Sequence, residues 1–245
     1  NSKRDQEKKD KRKRTVVYST KKIQEILDSM NSGYEPDMTP FFENDIDFRD
    51  ANVPFERTEW EKEEWLKCSL DPEYFIANYV KFQTDYGYKT VKLREYQKKM
   101  VHLMGDEDWN SDLETFVPKS RYNIIMCSRQ MGKTTTVCSV FLHYMLLHVE
   151  RNLFITANKG TTATEIVNKL TEMLKGLPFW LKPGIIKKNQ SSLKFDNGCY
   201  MLSAAASKTP ATSFTIHFMY VDEAALIANN IIDDYWKSVF PTLSS

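Results

Sequence analysis

The chain has 245 residues, of which 41% are apolar and 27% charged, with a formal net charge of +1. That length suits one large domain, or one with a small appendage. The near-neutral balance excludes a globally basic nucleic-acid binder, so any such contact must rest on local patches. Cys68, Cys127, Cys138 and Cys199 lack C-x-x-C spacing and do not pair with the histidines as metal ligands, which predicts reduced thiols and no zinc site. The most apolar run, 137–149, is broken by Ser139, His143 and Tyr144 and falls short of the about 20 residues a bilayer span needs. The charged N-terminus has no signal-peptide core, so a cytoplasmic, membrane-free protein is expected.

Residues 1–14 are a mostly basic low-complexity run that reads as a disordered tail. Ile23, Ile26, Leu27 and Met30 recur on one helical face and predict a helix over 20–30. Residues 31–54 carry Gly33, Pro36, Pro40 and several Asp and Asn, and read as a connecting segment without regular structure. These pieces make an N-terminal extension, 1–57, ahead of a main domain, 58–245. The main domain opens with Thr58 and Glu61 spaced as a capping box, leading a helix with Trp60, Trp65 and Leu66 as an aromatic face. Asp71-Pro72-Glu73 starts a second helix to about Lys81. A third runs from Leu93 to Met104, with Leu93, Tyr96, Met100 and Leu103 on one face. The three form a helical cover.

Beyond the cover, strand and helix alternate. Tyr122–Cys127 is predicted as a short buried strand, 133–149 as a long helix, Leu153–Ala157 as a second strand, and 161–174 as a helix. Leu193–Phe195 and Cys199–Ala204 form a hairpin around Asp196-Asn197-Gly198, and Ile216–Val221 is a further buried strand. The alternation implies an α/β, doubly wound sheet.

The chemistry concentrates in Cys127-Ser128-Arg129-Gln130-Met131-Gly132-Lys133-Thr134-Thr135, between a predicted strand and helix. Backbone N–H groups there would face the β- and γ-phosphates of a nucleotide, with Lys133 as a point charge and the Thr134 hydroxyl as a Mg²⁺ ligand. Cys127 stands where the general phosphate-loop pattern has its first Gly. At the end of the last apolar strand, Asp222 is suited to hold Mg²⁺ through water and Glu223 to orient the attacking water. In Arg94-Glu95-Tyr96-Gln97, the Gln97 amide suits adenine recognition and Tyr96 stacking, the alternative being the polar surface of an amphipathic helix. Arg129 suits an arginine finger, or else an ion pair with an acid such as Glu223.

Leu93–Gln97, Ser128–Thr135 and Tyr220–Glu223, together with 177–185 and 196–198, closely resemble the ATPase half of large terminases from T4-like tailed bacteriophages, over roughly 59–245. The resemblance implies a P-loop NTPase core of the additional-strand, catalytic-glutamate type, with a mainly parallel sheet. It implies ATP and Mg²⁺ as cofactors: Ser128 to Thr135 and Gln97 bind nucleotide, Thr134 and Asp222 the metal, while Glu223 is the catalytic carboxylate and Arg129 the cis finger. It implies a pentameric motor on the capsid portal protein, working with the small terminase subunit on double-stranded DNA in the infected host's cytoplasm. Relatives carry a coupling strand and a nuclease domain after the Asp-Glu pair, and some carry Arg-Gly where Ala211-Thr212-Ser213 stands here. With the central strand missing, 1–245 is expected to bind ATP weakly and hydrolyse it poorly. The rival expectations are a helicase-like translocase and a catalytically silent nucleotide-binding fragment.

Overall fold

A computed structural model describes residues 17–32, 39–51, 53–90, 92–112, 115–208 and 215–243. The basic tail at 1–14 and Ala211–Ser213 lie outside the described residues. Helix α1 (Thr20–Asn31) opens where the Ser19 hydroxyl accepts from the Lys22 N–H, and it turns Ile23, Ile26, Leu27 and Met30 onto Tyr18, Phe41 and Val53.

Helix α2 (Glu59–Leu70) carries both halves of the expected capping box: the Glu61 N–H donates to Thr58 Oγ1 at 3.2 Å and the Thr58 N–H to Glu61 Oε2 at 2.7 Å. Its buried face is not the aromatic one. Trp60 and Leu66 are 58% and 54% exposed, while Glu61, Glu64 and Cys68 are buried. Hydrogen bonding makes this possible, because a buried carboxylate is tolerated when its lone pairs are filled. Glu64 accepts from the hydroxyls of Tyr74 at 2.6 Å and Tyr79 at 2.7 Å, and Glu61 accepts from Thr20. Both tyrosines belong to α3 (Pro72–Tyr79), which is capped by Asp71 with Pro72 in its first turn.

A hairpin of β1 (Lys81–Thr84) and β2 (Gly87–Thr90), anchored in the core by Phe82, leads to α4 (Glu95–Gly105). Leu93, Met100 and Val101 are buried here, but Leu103 is 43% exposed, so the apolar stripe lies to one side of the expected face. A second hairpin, β3 (Glu107–Asn110) with β4 (Thr115–Pro118), was not foreshadowed by periodicity. Helix α5 (Lys133–Leu147) is buried all round from Thr136 to Leu147, because α2, α3, α4 and the helix at Gly160–Lys175 pack around it and Phe141 meets the rings of Phe218 and Tyr220. Among the described residues no helix is long and apolar enough to cross a membrane.

The remaining elements are β5 (Asn152–Ala157), α6 (Gly160–Lys175), β6 (Ile185–Lys188), β7 (Ser192–Phe195), β8 (Tyr200–Ala205), β9 (Phe218–Asp222) and α7 (Asn229–Val239). The sheet is mixed, in the order β6-β7-β8-β5-β9; β5 pairs in parallel with β8 and β9, whereas β6 and β7 are antiparallel additions. The expected hairpin joins β7 to β8, with Gly198 at φ 83° supplying the left-handed residue of its three-residue turn. Strand alternation separates the two faces of β9. Phe218 and Tyr220 meet Phe141 of α5, while Met219 and Val221 pack with Tyr235 and Val239 of α7.

Tyr122–Cys127 is not a buried strand, contrary to the sequence reading. It belongs to no ladder, and Tyr122, Ile124 and Met126 are 61%, 90% and 92% exposed. A short apolar run becomes a strand only where a neighbour offers its backbone groups. Among the described residues β9 has one ladder, with β5; on its other side the Ile216 N–H donates to the Thr242 carbonyl at 2.6 Å beside a parallel bridge from Ile216 to Leu243.

The turn-rich 39–55 segment has little regular structure, yet it is packed. Phe41, Phe48 and Val53 are buried, and Asp50 bridges in parallel to Ile185, lengthening the β6 edge. Arg49 donates to Asp196 Oδ2 at 2.8 Å while Asp196 Oδ1 accepts the Gly184 N–H at 2.8 Å. Lys182, 5% exposed, donates to the carbonyls of Asp47 at 2.7 Å and Lys175 at 2.8 Å, tying this segment to the end of α6.

Candidate functional site

The C-terminal ends of β5 and β9 lie in register, Ala157 opposite Asp222, and the loop 127–132 delivers α5 to that edge. Ligands in open α/β sheets collect at such an edge. The loop turns through two left-handed residues, Gln130 at φ 61° and Gly132 at φ 72°. Gly132 is the N-cap of α5 and brings no side chain to cap it. The first N–H groups of α5 therefore keep their partial positive charge available to an anion. Ser128, Arg129 and Gln130 are exposed, and Met131 to Thr135 half-buried.

The Lys133 ammonium lies 4.0 Å from Asp222 Oδ1. Asp222 is 6% exposed, and the Tyr220 hydroxyl donates to the same Oδ1 at 2.7 Å. Thr134 also interacts with the Tyr220 hydroxyl, and burial followed by the Asp222 hydrogen bond pushes that phenol's pKa far above its ordinary range. Glu223 is exposed at φ 50°, a left-handed conformation that costs a non-glycine residue about 1–3 kcal/mol and clusters at functional sites. Arg129 makes no ion pair with Glu223 among the described residues, so the ion-pair alternative finds no contact here.

The approach from α4 is direct. Tyr96 donates its hydroxyl to the Met131 carbonyl at 2.7 Å, pinning the loop to the helical cover. Gln97 Nε2 lies 3.0 Å from where a Cβ on Gly132 would sit, so the glycine admits the amide. The Gln97 Oε1 accepts the Arg94 N–H at 3.0 Å, which commits that oxygen to capping α4 and leaves the amide nitrogen facing the loop. The structure thus brings Tyr96, Gln97, Ser128 to Thr135, Asp222 and Glu223 to one edge. Two neighbours escaped the sequence reading. Lys169 of α6 reaches Thr135 Oγ1 at 3.4 Å, for which the sequence held no signal, and Tyr220 was legible only as an apolar strand residue two positions before Asp222.

The donors at this edge are hydroxyl and carboxylate oxygens, the hard ligands that suit Mg²⁺. Among the described residues no cluster of three or more His, Cys, Asp or Glu could cage a metal. The family model described as terminase large subunit, T4likevirus-type, N-terminal, matches residues 124–241, a span that includes the 127–135 loop and β9 but not Tyr96 and Gln97. Residues 124–241, just under half of the chain, are thus similar to the N-terminal part of T4likevirus-type terminase large subunits.

Proposed function

We propose that the chain is the ATP-hydrolysing motor part of a terminase large subunit, built on a P-loop core and acting on double-stranded DNA. The match to the terminase large-subunit family supports a role in phage DNA packaging. The observation that favours the motor reading is the approach of Lys133 to Asp222, 4.0 Å apart, at the uncapped N-terminus of α5. A lysine and a nearly buried carboxylate this close, beside free helix N–H groups, form a polarised notch for a phosphate chain and its counter-cation.

In this reading the N–H groups of 132–135 and the Lys133 ammonium hold the β- and γ-phosphates. Thr134 and Asp222 hold Mg²⁺, whose chemistry when bound is to neutralise charge on the phosphate oxygens. Glu223, exposed at the strand end and in no ion pair among the described residues, orients and deprotonates the attacking water. Arg129, exposed and in no ion pair among the described residues, swings onto the transferring phosphoryl oxygens in this reading. Gln97 offers its amide nitrogen to the base. The portal protein, the small terminase subunit and a pentameric ring in the host cytoplasm are the partners and setting of this reading.

Lys133→Ala and Glu223→Gln separate binding from chemistry. Loss of the Lys133 ammonium removes a charge-assisted contact of about 1.5–3 kcal/mol, which predicts about 10–100-fold weaker binding of a fluorescent ATP analogue. Glu223→Gln keeps that affinity and lowers phosphate release by about 10²–10⁴-fold. Unchanged binding in Lys133→Ala refutes the phosphate-site assignment. A second reading draws on the solvent exposure of Glu223: a chain that binds nucleotide without turning it over. It requires equal phosphate release from wild type and Glu223→Gln.

A further inference from the structure

Asp222 and Thr134, the two side chains assigned to the cation, both interact with the Tyr220 hydroxyl. It donates to Asp222 Oδ1 at 2.7 Å, and Thr134 interacts with the same phenol oxygen. We infer that Tyr220 is a positioning residue for the Mg²⁺ site, relaying a hydrogen bond from Thr134 to Asp222. The inference rests on the phosphate-site reading above and adds a role to a residue that the motif reading treats as strand filler.

The physical case is one of donor counting. A phenol has one proton and oxygen lone pairs. Its proton is committed to Asp222, so its remaining partner must donate, and Thr134 is the hydroxyl available. A threonine that donates to Tyr220 keeps its lone pairs for a cation, since a hydroxyl cannot offer its proton and its lone pair in one direction. On the other side, the contact fills one lone pair of Asp222 Oδ1 and fixes the carboxylate plane, which Lys133 approaches from 4.0 Å. Side chains that orient metal ligands from behind in this way set the metal affinity of a site.

The ring is held rigidly enough for the task. Tyr220 lies in the β9 ladder opposite Ile155, and its ring meets Phe141 of α5 edge-on at 6.3 Å. Phe141 also stacks on Phe218 at 4.4 Å. The phenol oxygen is thereby fixed by a strand on one side and a buried helix on the other. This aromatic packing requires no hydroxyl, so Phe at this position keeps the packing and removes only the relay.

The test is a Mg²⁺ titration of fluorescent ATP-analogue binding to the wild-type chain and to Tyr220→Phe, with thermal unfolding of both in parallel. The relay predicts a half-saturating Mg²⁺ concentration about 10–100-fold higher in Tyr220→Phe, recovered binding at saturating Mg²⁺, and an unfolding midpoint close to wild type. In a Thr134→Ala background, adding Tyr220→Phe shifts the Mg²⁺ requirement by less than it does alone, because half of the relay has already gone. An unchanged Mg²⁺ requirement in Tyr220→Phe, with Mg²⁺-dependent binding intact in both proteins, overturns the relay and leaves the phosphate site standing. Absence of nucleotide binding in the wild type at any Mg²⁺ concentration overturns both.

Discussion

Lys182 is a buried cation, and the pH dependence of its effect can be worked out in advance. It is 5% exposed, and burial lowers its pKa from 10.5 to about 8, against partial compensation from Asp47 and Asp45. The folded chain therefore releases this proton earlier than the unfolded chain does. Between pH 8 and 10.5 the unfolded state binds more protons, so the contribution of Lys182 to stability rises with pH through that window. A shift of this size corresponds to about 3 kcal/mol in full. The neutral amine keeps two N–H bonds for the carbonyls of Asp47 and Lys175, so deprotonation relieves the desolvation cost without breaking the clamp. In Lys182→Met this pH response is absent. Urea unfolding of both proteins from pH 7 to pH 10 should show the wild type gaining about 2–3 kcal/mol relative to the variant, nearly all of it above pH 8. Parallel stability profiles would refute the assignment of a buried, proton-releasing ammonium.

Three other substitutions probe the same architecture. Gly184→Ala would place a Cβ 2.5 Å from Asp196 Oδ2 and 2.6 Å from Ala51 Cα, and should detach the 39–55 segment, seen as faster proteolysis around Arg49. Arg49→Met strands the Asp196 carboxylate and should cost about 3–5 kcal/mol in urea unfolding, whereas the paired change Arg49→Met with Asp196→Leu should recover much of that loss. Tyr96→Phe frees the Met131 carbonyl and should weaken nucleotide binding several-fold while leaving the unfolding midpoint within a few degrees, checked by analogue titration and thermal melts.

Elements whose signals are local were legible in the chain. Thr58 with Glu61 marks a helix start because both partners of the capping box sit within one turn, and Asp196-Asn197-Gly198 marks a hairpin because the turn needs a left-handed residue there. The start of α5 is local in the same way, since its N-cap adopts a left-handed conformation, φ 72°, that suits Gly132. What could not be read depends on partners far along the chain. The buried face of α2 carries Glu61 and Glu64 because tyrosines 10 and 15 residues beyond Glu64, and a threonine 41 residues before Glu61, complete their hydrogen bonds. The burial of Arg49 depends likewise on Asp196, 147 residues away.

Tyr122–Cys127 and Phe218–Asp222 make the same point from opposite directions. Both are short apolar runs followed by residues suited to nucleotide chemistry, and composition does not tell them apart. β9 is a strand because β5 lies beside it and pairs Ala157 with Asp222, whereas 122–127 has no ladder to join. Strand character in a short apolar run belongs to the pair and not to the segment, since unpaired backbone groups favour water. The consequence reaches the site. Asp222 inherits a fixed position from its ladder, while the 127–132 loop is anchored at its start by no strand and at its end by α5 and the Tyr96 hydroxyl. Of the two halves of the proposed phosphate notch, the carboxylate half is held by the sheet and the lysine half by the helical cover. Changes in α4, outside the residues matched by the family, should therefore reach the nucleotide through the position of the loop.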